Sequence, residues 1–253
     1  MYFSYNSNKL FYEKFGNGKQ VIIILPGWGD NRKTFYNIIK YFKDKFTIYI
    51  FDYPGFGNSE IPKLDLTIYN YAEIIISFIS EYKIKKPILI GHSFGGRISI
   101  LLSGYYNIKL KKLILISSAG IKPVGNNKKN LKQKFYKLLK KISFLLPKKI
   151  KKIYLDKLIS IFGSPDFRSL PEKLRKTFIN IVNEDLTLYI KNINTETLII
   201  WGEHDLDTPI SDAYKMNDLI NNSKLKIIKK ATHFSYLEYP LYTISLLKDF
   251  LIN

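Results

Sequence analysis

Six short, almost wholly apolar runs, separated by longer amphipathic stretches, constrain this chain more than any other feature: Val21–Leu25, Phe46–Phe51, Pro87–Ile90, Leu113–Ser117, Thr197–Trp201 and Leu225–Ile228. Runs this apolar and this short fit strands buried on both faces, as in a parallel sheet covered by helices. Helical patterning over Asn31–Lys43, Leu66–Tyr82, Phe94–Tyr106, Ser211–Asn221 and Pro240–Ile252 supplies the covering layers. The opening segments, Tyr2–Tyr5 and Leu10–Phe15, flank Asn6-Ser7-Asn8 and predict a hairpin. The expectation is therefore an α/β chain built on a mostly parallel, doubly wound sheet of about eight strands.

The rhythm breaks between Ile121 and Asn192. This segment carries 18 Lys+Arg against 5 Asp+Glu, a net +13 of the chain's +19. Within it Leu131, Phe135, Leu138, Leu139, Ile142, Leu145 and Leu146 form one apolar helical stripe, backed by lysines and ended by Pro147. A helical insertion between two strands of a parallel sheet lies over their carboxyl ends, where α/β sites sit. The expected organisation is a discontinuous core, 1–120 and 193–253, with a basic helical cap over 121–192.

Composition narrows the function classes. There is no cysteine, so disulfides, thiolate metal sites and a cysteine nucleophile are excluded. The N-terminus lacks a basic segment followed by an apolar one, and no run approaches the ~18 apolar residues of a membrane span. A soluble, cytoplasmic placement is expected. Of the 40 basic residues only four are arginine, Arg32, Arg97, Arg168 and Arg175. Base readout leans on arginine, and no recognised binding motif accompanies the lysines, which argues against a nucleic-acid partner. The lysines of the cap serve either to solvate its outer face or to draw it weakly to anionic lipid surfaces or anionic substrates.

Gly91-His92-Ser93-Phe94-Gly95 follows one apolar run and opens a helical stretch. A Gly-x-Ser-x-Gly in that context predicts a nucleophile elbow, with Ser93 on a sharp turn and both glycines where strand and helix approach closely. By itself the pentapeptide fits a helix-capping serine equally well. A serine nucleophile needs a base, and the chain has three histidines: His92, His204 and His233. His92, next to the serine on a sharp turn, reads as a packing residue behind it. His204 and His233 both follow expected strands, and His233 lies in the loop after the last one. The base in turn needs a carboxylate. Asp205 follows the strand Thr197–Trp201, whereas Asp207 also reads as a turn or capping residue ahead of Pro209.

The order Ser93, Asp205, His233 resembles that of the α/β-hydrolase superfamily, and so do the local sequences. Leu25-Pro26-Gly27-Trp28-Gly29 is similar to its oxyanion segment. Asp52 to Ser59 resembles its Asp-x-x-Gly-x-Gly-x-Ser turn, Trp201 to Pro209 its acid loop, and Ala231-Thr232-His233-Phe234 with Glu238-Tyr239-Pro240 its histidine loop. Two departures are Pro26, where the family commonly has histidine, and Thr232, where glycine usually precedes the histidine. The resemblance implies the α/β-hydrolase fold and a serine nucleophile, Ser93, with His233 as base and Asp205 as its acid. It also implies an oxyanion hole from the backbone N–H groups of Trp28 and Phe94, and no cofactor or metal. The expected activity is hydrolysis of a carboxylic ester or related acyl bond in a small, apolar substrate through an acyl-enzyme. Thioesterase, lipase and C–C bond hydrolase chemistry, or ligand binding without turnover on the same fold, are the alternatives. Oligomeric state is not legible.

Overall fold

A computed structural model describes residues 1–6, 8–122, 146–163 and 165–252, together with 139, 141 and 143. Eight strands form one sheet: β1 (Tyr2–Tyr5), β2 (Asn8–Phe15), β3 (Gln20–Leu25), β4 (Phe46–Asp52), β5 (Ile88–His92), β6 (Lys112–Ile116), β7 (Thr197–Gly202) and β8 (Ser223–Ile228). Their order across the sheet is β1-β2-β4-β3-β5-β6-β7-β8. The first two pairings are antiparallel and all the others parallel. The strands start or end within two residues of the apolar runs.

The pleat sends alternate side chains to two separate cores. Ile23 and Leu25 of β3 join one cluster, beneath α2 (Ile68–Glu81), α3 (Phe94–Ile100) and later Ala213 and Met216. Ile22 and Ile24 join the other, beneath α1 (Tyr36–Phe42) and residues of the C-terminal helix such as Leu247 and Phe250. Burial on both faces is why these strands read as continuous apolar runs rather than alternating ones.

The chain winds from β3 outward to β4, then returns past β3 to β5 on its other side. The order therefore reverses between β3 and β5, and loops leaving these two strands part there to leave a crevice. The segment expected to form an oxyanion hole follows β3 and the Gly91–Gly95 turn follows β5, with Leu25 in register with Gly91.

The Asp52–Ser59 turn is a structural device. Asp52 Oδ2 pairs with Arg32 Nη1 at 2.5 Å and accepts the Asn58 amide at 2.9 Å. Gly57 has a positive φ of 52°, and a Cβ there would lie 2.2 Å from the same carboxylate oxygen.

Between β6 and β7 the described residues form α4 (Lys148–Phe162) and α5 (Glu172–Asn183), neither of which the apolar patterning singled out. Most of the Leu131–Leu146 stripe lies outside the described residues. Pro147 caps the start of α4. After β7 come α6 (Ile210–Leu219) and, after β8, α7 (Pro240–Ile252). No helix among the described residues is long and apolar enough to cross a membrane.

Candidate active site

Ser93 adopts φ 50°, ψ −109°, between the end of β5 and the first turn of α3. A serine at positive φ is strained, by roughly 1–3 kcal/mol, and persists only where its surroundings hold it. Here its N–H donates to Ile116 O on β6 at 3.1 Å, and its carbonyl accepts from Gly96, Arg97 and Ala119 amides at 3.0, 3.3 and 3.1 Å. The glycines permit the turn. A Cβ on Gly95 would stand 1.8 Å from Leu25 O, and one on Gly91 2.6 Å from Gly95 O. The helix-capping alternative does not describe Ser93, whose side chain makes no cap hydrogen bond.

Asp205 and His233 are brought together from the loops after β7 and β8. Nδ1 of His233 lies 2.9 and 3.1 Å from the two carboxylate oxygens of Asp205. Asp205 is buried and also accepts the Asp207 and Thr208 amides at 3.0 and 2.9 Å and the Thr208 hydroxyl at 2.9 Å. Burial alone would raise its carboxyl, but the His233 contact and the Thr208 amide outweigh burial and hold it below the ordinary value. An imidazole facing a carboxylate through Nδ1 carries its hydrogen there, which leaves Nε2 free to accept a proton.

The histidine loop is pinned on both sides. The Thr232 amide donates to Glu238 Oε2 at 2.8 Å and its hydroxyl bonds Oε1, a use of threonine that glycine could not match. Behind the elbow, His92 is fully buried, with Nε2 3.1 Å from His233 O and Nδ1 3.1 Å from Asp30 Oδ2. Asp30 Oδ2 also accepts the Gly27 amide at 3.2 Å. His92 thus ties the loops after β3, β5 and β8 together. Its buried position matches the packing expectation, while its polar role and Asp30 escaped the sequence, because neither belongs to a spaced motif. His204 is exposed beside Glu203 and does not line the cavity.

Ser93, His233, Trp28 and Phe94 all border one cavity of about 310 Å³. Neither the Trp28 nor the Phe94 amide has an acceptor among the described hydrogen bonds, and Phe94 is the first residue of α3, where an amide points out of the helix. Phe178, Ile181 and Val182 of α5 make the apolar roof. This roof comes from a different part of the 121–192 segment than the expected stripe. It is docked through Thr177, whose buried hydroxyl accepts the Leu66 amide at 2.9 Å, and through Phe178 against Trp28. Among the described residues the only grouping suited to a cation is Asp205, Asp207 and His233, with ligand atoms within 4.8 Å. The Asp205 oxygens already accept amides, a hydroxyl and the imidazole, an environment made to orient a ring.

A sequence profile describing the alpha/beta hydrolase fold matches residues 20–157. The chain is 31% identical over 95% of its length to a pimeloyl-[acyl-carrier protein] methyl ester esterase of Wigglesworthia glossinidia brevipalpis, and covers 97% of that protein. It is 25% identical to the uncharacterized hydrolase YugF of Bacillus subtilis over 98% of this chain and 96% of that one. Among solved structures it resembles Est816, described as an N-acyl homoserine lactone degrading enzyme, with TM-score 0.77, 20% identity and coverage of 99% and 100%. The enol-lactonase of Burkholderia xenovorans LB400 superposes with TM-score 0.77 at 19% identity, covering each chain in full.

Proposed function

The chain belongs to the α/β-hydrolase family and is an esterase-type hydrolase, and we propose that it cleaves carboxylic esters through a serine acyl-enzyme. The observation that carries this reading is the meeting of Ser93, His233 and the two unengaged amides at one cavity, with Asp205 bonded to the far side of the imidazole. Ser93 Oγ attacks the ester carbonyl as His233 Nε2 takes its proton. The Trp28 and Phe94 amides stabilise the resulting oxyanion, and Asp205 stabilises the imidazolium. His233 then gives the proton to the leaving alkoxide. Water, deprotonated by the same nitrogen, releases the acid and restores the serine.

The relative from Wigglesworthia acts, by its name, on a methyl ester of a carrier-bound acyl chain, which supports an ester as the scissile bond here. The apolar roof of Phe178, Ile181 and Val182 fits an acyl chain. Two measurements test the reading: labelling by a fluorophosphonate, and turnover of a panel of methyl and p-nitrophenyl esters. The expected result is labelling at Ser93 and multiple turnovers, both lost in Ser93→Ala. Tight ligand binding with no turnover of any ester would instead identify a binding protein on the hydrolase fold.

A further inference from the structure

Arg97 lies one turn along α3 from Ser93, about 6 Å of helix rise, its amide bonded to the serine carbonyl at 3.3 Å. Its side chain is only 6% exposed and forms part of the wall of the catalytic cavity. A buried guanidinium ordinarily meets a carboxylate. Arg97 does not: its one hydrogen bond among the described residues runs from Nη1 to the Glu184 backbone carbonyl at 2.8 Å, and it forms no salt bridge there. The Glu184 carboxylate is taken by the Tyr69 hydroxyl at 2.8 Å. Burial lowers the guanidinium to about 10, with Glu184 and Asp185 partly opposing, so it is still charged at neutral pH. A planar fork with five donors, one of them committed, therefore borders the cavity with Glu184 and Asp185 nearby but no carboxylate bonded to it among the described residues.

The other charged groups on this wall do not supply one. Asp30 is held by His92 and the Gly27 amide. Asp207 is exposed, and its amide caps Asp205. Asp212, in the first turn of α6, has its carboxyl raised by burial and by Asp205, and Lys215 is the cation that acts on it.

We propose that Arg97 is a specificity-determining residue that binds a carboxylate on the substrate, so that the preferred esters are half-esters of short dicarboxylic acids. The inference rests on the ester-hydrolase reading for the identity of the scissile bond, but the anion subsite is readable without turnover. The acid group docks on the guanidinium while the ester carbonyl lies against Ser93 and the two amides, with the methylenes between them under the α5 roof. Desolvation makes such a pair strong, because little water is left to screen the attraction between the two charges.

The decisive test measures binding of monomethyl glutarate and dimethyl glutarate to Ser93→Ala by calorimetry in 0.3 M salt, where attraction by exposed lysines is screened. Succinate and adipate half-esters bracket the chain length. The monoanion is expected to bind at least tenfold more tightly than the neutral diester. Arg97→Met in the same background should bring the ratio to near one, and Arg97→Lys should restore part of it. Equal binding of the two esters, or a preference that survives Arg97→Met, would overturn the proposal. If Arg97→Met fails to fold, the comparison in Ser93→Ala alone decides. Turnover by the unsubstituted protein separates the two readings: hydrolysis of dimethyl but not monomethyl glutarate sinks the carboxylate subsite alone. A tenfold binding preference with no ester hydrolysed leaves the subsite standing and sinks the esterase.

Discussion

The ring of His92 holds the backbone of His233: Nε2 of the first donates to the carbonyl of the second at 3.1 Å, inside the protein. A carbonyl only accepts, so Nε2 carries a hydrogen, and the bond between Nδ1 and Asp30 Oδ2 takes a second one, shared between ring and carboxyl. The contact joins the residue before Ser93 directly to the residue expected to act as its base. Replacing His92 with leucine keeps bulk but removes this bond and the one to Asp30. A displacement of the imidazole by a fraction of an ångström lowers rate steeply, so kcat on a methyl ester should fall about 10- to 100-fold. Stability should drop by only about 1–3 kcal/mol, from Asp30 and the His233 carbonyl left unbonded. Kinetics and urea unfolding on the same preparation check this. Full activity in a folded His92→Leu protein would show that the His233 loop is positioned without it.

Gly95 is tested by a single added methyl. The Cβ of alanine would stand 1.8 Å from Leu25 O, a backbone atom of the strand that leads to Trp28. Neither backbone can yield without moving the Ser93 turn or the Trp28 segment. Gly95→Ala is expected to cost at least about 2 kcal/mol by overpacking, with loss of most activity in the folded fraction. Thermal melts and active-site titration are the measurements. A variant with unaltered melting and titration would mean that the strand and helix separate more easily than their packing implies.

Much of this was legible because the fold writes itself into local pattern. Strands buried on both faces leave continuous apolar runs, and β3, β4, β5, β6 and β7 each match one closely. The sharp turn at Ser93 and the pairing of Asp205 with His233 were legible because the motifs that suggested them hold particular residues at fixed offsets. Arg97 and Asp30 were not, because their roles arise from contacts across the fold. The Arg97 side chain reaches residue 184, and Asp30 reaches His92, 62 positions away. The cap was least legible. Its roof residues Phe178, Ile181 and Val182 form a short apolar end to a helix that opens with Glu172, Lys173, Arg175 and Lys176, whereas the longest apolar stripe in that segment is Leu131–Leu146.

The Arg32–Asp52 pair predicts stability rather than activity. The Asp52 side chain is fully buried and that of Arg32 nearly so, and the guanidinium also pairs with Glu13 at 2.9 Å and lies over the Phe11 ring. Removing one member of a buried pair leaves the other charge unmet, which costs more than the pair itself contributes. Asp52→Ala should destabilise by about 3 kcal/mol, toward the low end because Glu13 remains. The loss should appear as a lower urea midpoint, with kcat of the folded protein little changed. A shift of a few tenths of a kcal/mol would mean the pair behaves as an exposed one.

Asp205 links the site to pH. Its carboxyl is lower in the folded protein than the ordinary 3.8, because the His233 and Thr208 contacts outweigh burial. A depressed carboxyl contributes stability that is fully present above its unfolded value and is lost as pH falls through its folded one. Asp205→Asn cannot ionise, and its amide group would face the donors of Thr208. The wild-type protein should therefore be more stable than Asp205→Asn by a constant margin at neutral pH. That margin should begin to shrink near pH 5 and narrow further below 3.8, as far into acid as the wild type stays folded. Urea unfolding of both proteins across this range measures it, and a margin that stayed flat or grew in acid would show that the native contacts do not favour the carboxylate. At neutral pH the same substitution should lower kcat by about 10⁴, since the imidazole loses the partner that fixes its hydrogen on Nδ1.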